Sequence, residues 1–128
     1  NKAAFELYVA RKFCSKAQNA KDRGLEFTIT LTSMRNILKA KKCYYTGLPL
    51  TMPDPAMDGR LRPTDLTIDR IDARKGYVPG NVVACCHAAN SLKERAEGAG
   101  VEGLKLAQKI LGKAINRIEK ESKNVQKL

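Results

Sequence analysis

The chain has 128 residues and carries 24 Lys plus Arg against 13 Asp plus Glu, a formal charge of +11. That length suits a single domain, 1–128, with a modest core, and the charge is the footprint expected for a partner with a phosphate backbone. No stretch approaches the ~20 apolar residues that span a bilayer, no N-terminal segment reads as a secretory signal, and the lack of Trp argues against an aromatic platform for stacked bases.

From Ala3 to about Lys21 the sequence is helical. Phe5, Val9, Phe13 and Ala17 recur every fourth residue, with Leu7, Ala10 and Cys14 widening the stripe. Gly24 is placed to cap its C-terminus. Arg11, Lys12, Lys16 and Lys21 fall largely off the stripe, as a solvated face or as phosphate contacts. Leu25 to Thr30 alternates and should be extended, and Thr32 or Ser33 should cap a second helix that turns Met34, Ile37 and Leu38 inward. Cys43 to Leu50 reads as a short strand or hairpin, where alternation sends one of Tyr44 and Tyr45 into the core. Thr51 to Thr64 is a Pro-, Asp- and Gly-rich loop; Asp54 and Asp58 are spaced as turn-formers, and Arg60 and Arg62 stand near its end.

Asp65 to Lys93, DLTIDRIDARKGYVPGNVVACCHAANSLK, organises the rest. Leu66 and Ile68 alternate with Thr67 and Asp69 in the pattern of a half-buried strand. Gly76, Pro79 and Gly80 punctuate a turn, Val82 and Val83 supply a second strand, and a helix is expected from about Ala84, with Ala88, Ala89, Leu92 and Ala96 on one face. After a break at EGAGVEG, a last helix runs from about Val101 to Ser122. Leu104, Ala107, Leu111, Ala114 and Ile118 give it a stripe that the first helix is expected to cover. Lys123 to Leu128 should fray.

A carboxylate on a hairpin and a carboxamide on the next helix can share one hard cation. Here Asp69 and Asn90 hold those places, with Asn81 at the start of the second strand. The ordered set IDRID, GYVPGNV and AN..K resembles the phage-type branch of the HNH endonucleases, and the RGLEFTITLTSMRNIL lead-in extends the likeness over most of residues 5–95. The resemblance implies an α+β fold: a ββα-metal core at about 65–95, flanked by helical regions at 3–42 and 101–122. It implies a metal-dependent endonuclease or nickase acting on duplex DNA with Mg²⁺ or Mn²⁺. Asp69 matches the strand metal ligand, Asn90 the helical ligand and Asn81 the residue that braces the hairpin.

One departure concerns the base. Most HNH enzymes place a histidine directly after the strand aspartate, and this chain has Arg70. A guanidinium stays protonated, so Arg70 reads as a phosphate clamp. His87, the single histidine, lies one helical turn before Asn90 and is the alternative catalytic group. Arg60, Arg62, Arg70, Arg74, Lys75 and Lys93 complete the expected nucleic-acid contacts. The alternative to an enzyme is a catalytically degenerate HNH scaffold that only binds nucleic acid.

The four cysteines, two of them adjacent, do not form the framework of a secreted fold. An intracellular, cytoplasmic setting is expected, such as that of a phage protein in its host. The family often carries a zinc knuckle of two CxxC pairs. Here Cys43 and Cys86 keep the first position of each pair, while Thr46 and Ala89 replace the second, so no structural zinc is expected.

Overall fold

The computed structural model describes residues 1–126. By compactness the chain divides into two units, Asn1–Asn90 and a second that begins at Ser91, where length and composition alone read as one domain. The buried core residues all belong to the first.

Helix α1, Lys2–Arg23, starts where the Asn1 side chain accepts the Ala3 and Ala4 amides at 2.8 and 3.2 Å. It ends at Gly24, whose φ of 67° is the left-handed conformation glycine adopts most readily. Val9 and Ala20 are buried, and Phe5, Tyr8 and Phe13 pack on the same core, so the apolar face of α1 is used within the first unit. Helix α2 is Leu31–Leu38 and is capped by Thr30, which accepts the Ser33 amide at 3.1 Å. The cap lies two residues before the earlier of the two expected ones. Thr30 is the extended residue preceding the helix, which is the conformation an N-cap requires. Met34 and Leu38 are buried as expected, with Ile37 packed beside them.

Strands β1, Leu66–Arg70, and β2, Val82–Cys86, form an antiparallel pair in the register Leu66–Cys86, Thr67–Cys85, Ile68–Ala84, Asp69–Val83 and Arg70–Val82. Leu66, Ile68, Val82 and Ala84 point into the core. Helix α3, His87–Glu97, therefore starts three residues later than the sequence indicated, because Ala84, Cys85 and Cys86 complete the ladder. The segment between α1 and α2 is extended but makes only one bridge, Phe27 to Tyr77. There the Tyr77 amide donates to the Glu26 carbonyl at 2.8 Å. A Cβ on Gly76 would stand 2.1 Å from that same carbonyl oxygen, so this crossing requires glycine.

Cys43–Leu50 is a turn closed by Gly47 N to Cys43 O at 2.9 Å and Cys43 N to Leu48 O at 2.8 Å, with a single bridge from Lys42 to Pro49. Neither tyrosine is buried: Tyr44 is 59% and Tyr45 38% exposed. Turn geometry rather than strand alternation sets their direction. In the loop that follows, Asp54 caps a short 3-10 turn, Pro55–Met57, and Asp58 sits at positive φ, so both are turn-formers.

In the second unit, the break before the last helix is reduced to Gly98 and Ala99, and α4 runs Gly100–Gln126. The expected fraying does not occur over 123–126, and the last two residues lie outside the described part. Among the described residues no helix is long and apolar enough to cross a membrane.

Candidate metal and nucleic-acid site

Period-2 alternation puts Thr67 and Asp69 on the face of β1 opposite Leu66 and Ile68. Asn90, one turn into α3, reaches this face: its Nδ2 donates to Thr67 Oγ1 at 3.1 Å. Thr67 in turn donates to the Cys85 carbonyl at 3.0 Å. The hydroxyl thus tethers the helix to the strand and fixes the Asn90 carboxamide. The Tyr45 hydroxyl donates to Asp69 Oδ2. The structure therefore sets Asp69 beside Tyr45 and Asn90 beside Thr67; the sequence singled out Asp69 and Asn90 but not their two partners. Thr67 was legible only as a strand residue between apolar ones. Tyr45 arrives from a turn 24 residues upstream, a separation that no local pattern encodes.

Asn81 is buried and braces the hairpin loop. Its Oδ1 accepts the Asp72 amide at 2.9 Å, and its Nδ2 donates to the Gly76 and Asp72 carbonyls at 2.9 and 3.1 Å. Arg70 lies on the other face of β1 from Asp69. It donates to the Ala73 and Lys75 carbonyls, both at 2.7 Å, and its guanidinium lies 5.6 Å from the centre of the Tyr77 ring. The expected phosphate clamp thus has a second task in holding the loop. His87 opens α3 one turn before Asn90 and is half-buried, with its amide bonded to the Asp65 carbonyl at 2.9 Å.

The basic residues divide. Arg62 is bonded within the chain: its Nε donates to Asp65 Oδ1 at 3.0 Å and its NH2 to the Met52 carbonyl at 2.6 Å, while its side chain stays 42% exposed. Its partner Asp65 is fully buried and went unnoticed in the sequence, hidden at the foot of the strand. Burial pushes the Asp65 carboxyl up, but bonds from the Arg62 guanidinium, the Thr51 hydroxyl and the Arg62 amide hold it at about 2. Arg74 lies on Asp72 at 3.1 Å yet is 90% exposed, and Lys75 and Arg60 are exposed. Lys93, on α3, pairs with Glu97 at 3.0 Å. Lys16 has its pKa lowered by burial and then by Lys12, Arg70 and Arg23, which marks a concentration of positive charge between α1 and the hairpin.

Asp69 on β1 and Asn90 on α3 carry side-chain oxygens of the kind a hard cation takes, and Mg²⁺ accepts one or two protein oxygens while keeping several waters. No group of three or more His, Cys, Asp or Glu side chains able to hold a metal ion occurs among the described residues. Cys43, Cys85 and Cys86 form a buried cluster with Leu50 and Ala89. Burial raises the Cys43 thiol, but the Thr46 hydroxyl and the Cys86, Thr46 and Tyr45 amides bring it to about 7. Cys86 Sγ accepts the Ala89 amide at 3.4 Å. The residues standing at the two missing knuckle positions thus supply hydrogen bonds to the sulfurs.

No family model matches the chain. It is 29% identical over 85 residues to an uncharacterised 29.0 kDa protein of Enterobacteria phage T4, in the dda-modA intergenic region. That match covers 66% of this chain and 32% of the phage protein, so the chain spans about a third of its relative's length. Among solved structures it is similar to the rare-cutting HNH restriction endonuclease PacI, with a TM-score of 0.51 and 22% identity over 83% of this chain and 81% of that one. The fold is thus α+β, with an HNH-like ββα core and flanking helices.

Proposed function

We propose that this chain is a divalent-cation-dependent endonuclease or nickase that hydrolyses phosphodiester bonds of duplex DNA. The observation that carries the reading is the placement of Asp69 on β1 and of Asn90 on α3, with the Asn90 carboxamide bonded to Thr67 on the same face of β1 as Asp69. The fold likeness to a DNA-cutting HNH enzyme and the +11 charge support it.

Hydrolysis needs an attacking water, neutralisation of charge at the scissile phosphate, and stabilisation of the leaving oxygen. A bound Mg²⁺ or Mn²⁺ would supply the Lewis acidity for the last two. Asp69 and Asn90 would hold that ion. Tyr45 and Thr67 orient the two ligands through their hydrogen bonds, as outer-shell partners do at metal sites. His87, one turn before Asn90, is the imidazole available to accept the water's proton. Arg60, Arg74, Lys75 and the cations around Lys16 attract the DNA backbone.

A plasmid assay tests this directly. Supercoiled DNA should be relaxed or linearised with Mg²⁺ or Mn²⁺, and left intact with a chelator. A second reading, a non-catalytic DNA-binding scaffold, draws on Arg70, which stands where the family places its base and is bonded to the loop carbonyls. Retained DNA binding with no cleavage under any divalent cation would leave that reading standing and defeat the first.

A further inference from the structure

Helix α4 carries a register that the nuclease reading does not use. Val101, Gln108, Ile115 and Ser122 recur every seven residues, and so do Leu104, Leu111, Ile118 and Val125, offset by three. The second series is apolar throughout and the first is apolar at Val101 and Ile115 and polar at Gln108 and Ser122, an a/d spacing of the coiled-coil kind along a 27-residue helix. Its apolar members are solvent-exposed: Val101 by 65%, Leu111 by 53%, Ile115 by 54%, Ile118 by 53% and Val125 by 70%. Along the N-terminal half, the seam lines an open apolar groove of about 600 Å³ with Leu92 and Ala96 on its rim. A narrow stripe of apolar residues spaced three and four apart is what a second helix laid alongside would cover.

We infer that the occupant is α4 of a second copy of this chain, packed antiparallel. With the helices reversed about the middle of the seam, Leu111 meets Ile115, Gln108 meets Ile118 and Val101 meets Val125. That alignment sets Lys105 of one copy alongside Glu119 of the other, twice by symmetry, whereas a parallel pairing places neither beside an opposite charge. Ala107, Gly112 and Ala114 flank the seam and let the backbones approach closely. Leu106 lies on the far side of the helix and is no part of the contact.

Sedimentation equilibrium of the 128-residue chain, from low-micromolar to hundred-micromolar concentration, tests this without DNA or metal. A monomer–dimer equilibrium is expected. Leu111→Lys and Ile118→Lys should each abolish the dimer, and helicity by circular dichroism verifies that the monomer still folds. Leu106→Lys should leave the dimer unchanged. Lys105→Glu should weaken it several-fold, and Lys105→Glu with Glu119→Lys should restore it, as only the antiparallel pairing requires. The inference is overturned by a chain that stays monomeric throughout the range, as when another segment or another protein covers the seam. It is equally overturned by an assembly larger than a dimer, by Leu106→Lys acting as strongly as Leu111→Lys, or by a charge swap without effect.

Discussion

At the scale of single residues, the proposed site separates the proposed ligands Asp69 and Asn90 from the groups hydrogen-bonded to them, Tyr45 and Thr67. Asp69→Ala should abolish plasmid cleavage while leaving DNA affinity nearly intact, because removing a negative charge beside a phosphate does not weaken electrostatic attraction. Tyr45→Phe keeps the ring but removes the hydroxyl bond to Asp69 Oδ2, and should lower the cleavage rate by about 10–100-fold, the usual loss when an outer-shell partner is removed. Arg70→His places an imidazole after the strand aspartate but removes the bonds to the Ala73 and Lys75 carbonyls. If only the base limits turnover, activity should rise by part of the ~10²–10⁴-fold that general-base catalysis supplies, at the cost of a lower melting temperature. Asp65 sets an acid limit on folding. Its carboxyl is held at about 2 in the native state, below the ~3.9 of a free aspartate, so it contributes full stability above pH ~4. That contribution is lost as pH falls toward 2. Asp65→Asn should destabilise at neutral pH by about 1.5–3 kcal/mol and flatten the acid limb of the stability curve, read by thermal melts across pH.

At the scale of elements, the hairpin is held from both sides. Asn81 and Arg70 tie down its loop from within, and the Glu26–Thr28 segment crosses it at Gly76 from without. The crossing is the tightest point, because a methyl group on Gly76 would collide with the backbone of Glu26 rather than with a movable side chain. Gly76→Ala should therefore cost more than a few kcal/mol or abolish folding, whereas Gly47→Ala, in open space, is limited to the ~1 kcal/mol of a left-handed backbone. Chemical denaturation of the two variants in parallel measures that difference. The cysteine cluster behaves as packing with hydrogen-bonded sulfurs, so a chelator should leave the melting temperature unchanged.

For the whole molecule, the proposed function makes the charge excess the governor of encounter with DNA. Affinity should be sequence-tolerant and fall steeply with salt, with log K dropping by roughly 0.9 per log unit of salt for each phosphate neutralised. Replacing Lys12 and Lys16 together with Ala should lower that slope by up to about two such increments, read by fluorescence anisotropy across a salt series. Arg62→Ala should act differently. Its guanidinium is bound to buried Asp65, so the loss should appear in stability and barely in the salt slope.

Much of this molecule is local, and what is local was legible. Apolar period four built α1, period two built β1, and Asp69, Asn81 and Asn90 lie in one continuous motif, on β1, just before β2 and on α3. The end of β2 was misread because Ala84 to Cys86 suit a helix by composition, and only the ladder to Leu66–Ile68 makes them strand. Thr67 and Tyr45 at the site, Asp65 beneath Arg62, and the Glu26 crossing at Gly76 arise from pairings between distant segments. Each depends on which hydrogen-bonding groups the tertiary packing leaves facing one another, and no single stretch of sequence carries that information. Arg70 shows the same division at one residue. The sequence puts a guanidinium where the HNH endonucleases it resembles place a histidine, and tertiary structure turned that guanidinium onto the loop carbonyls, on the strand face opposite Asp69.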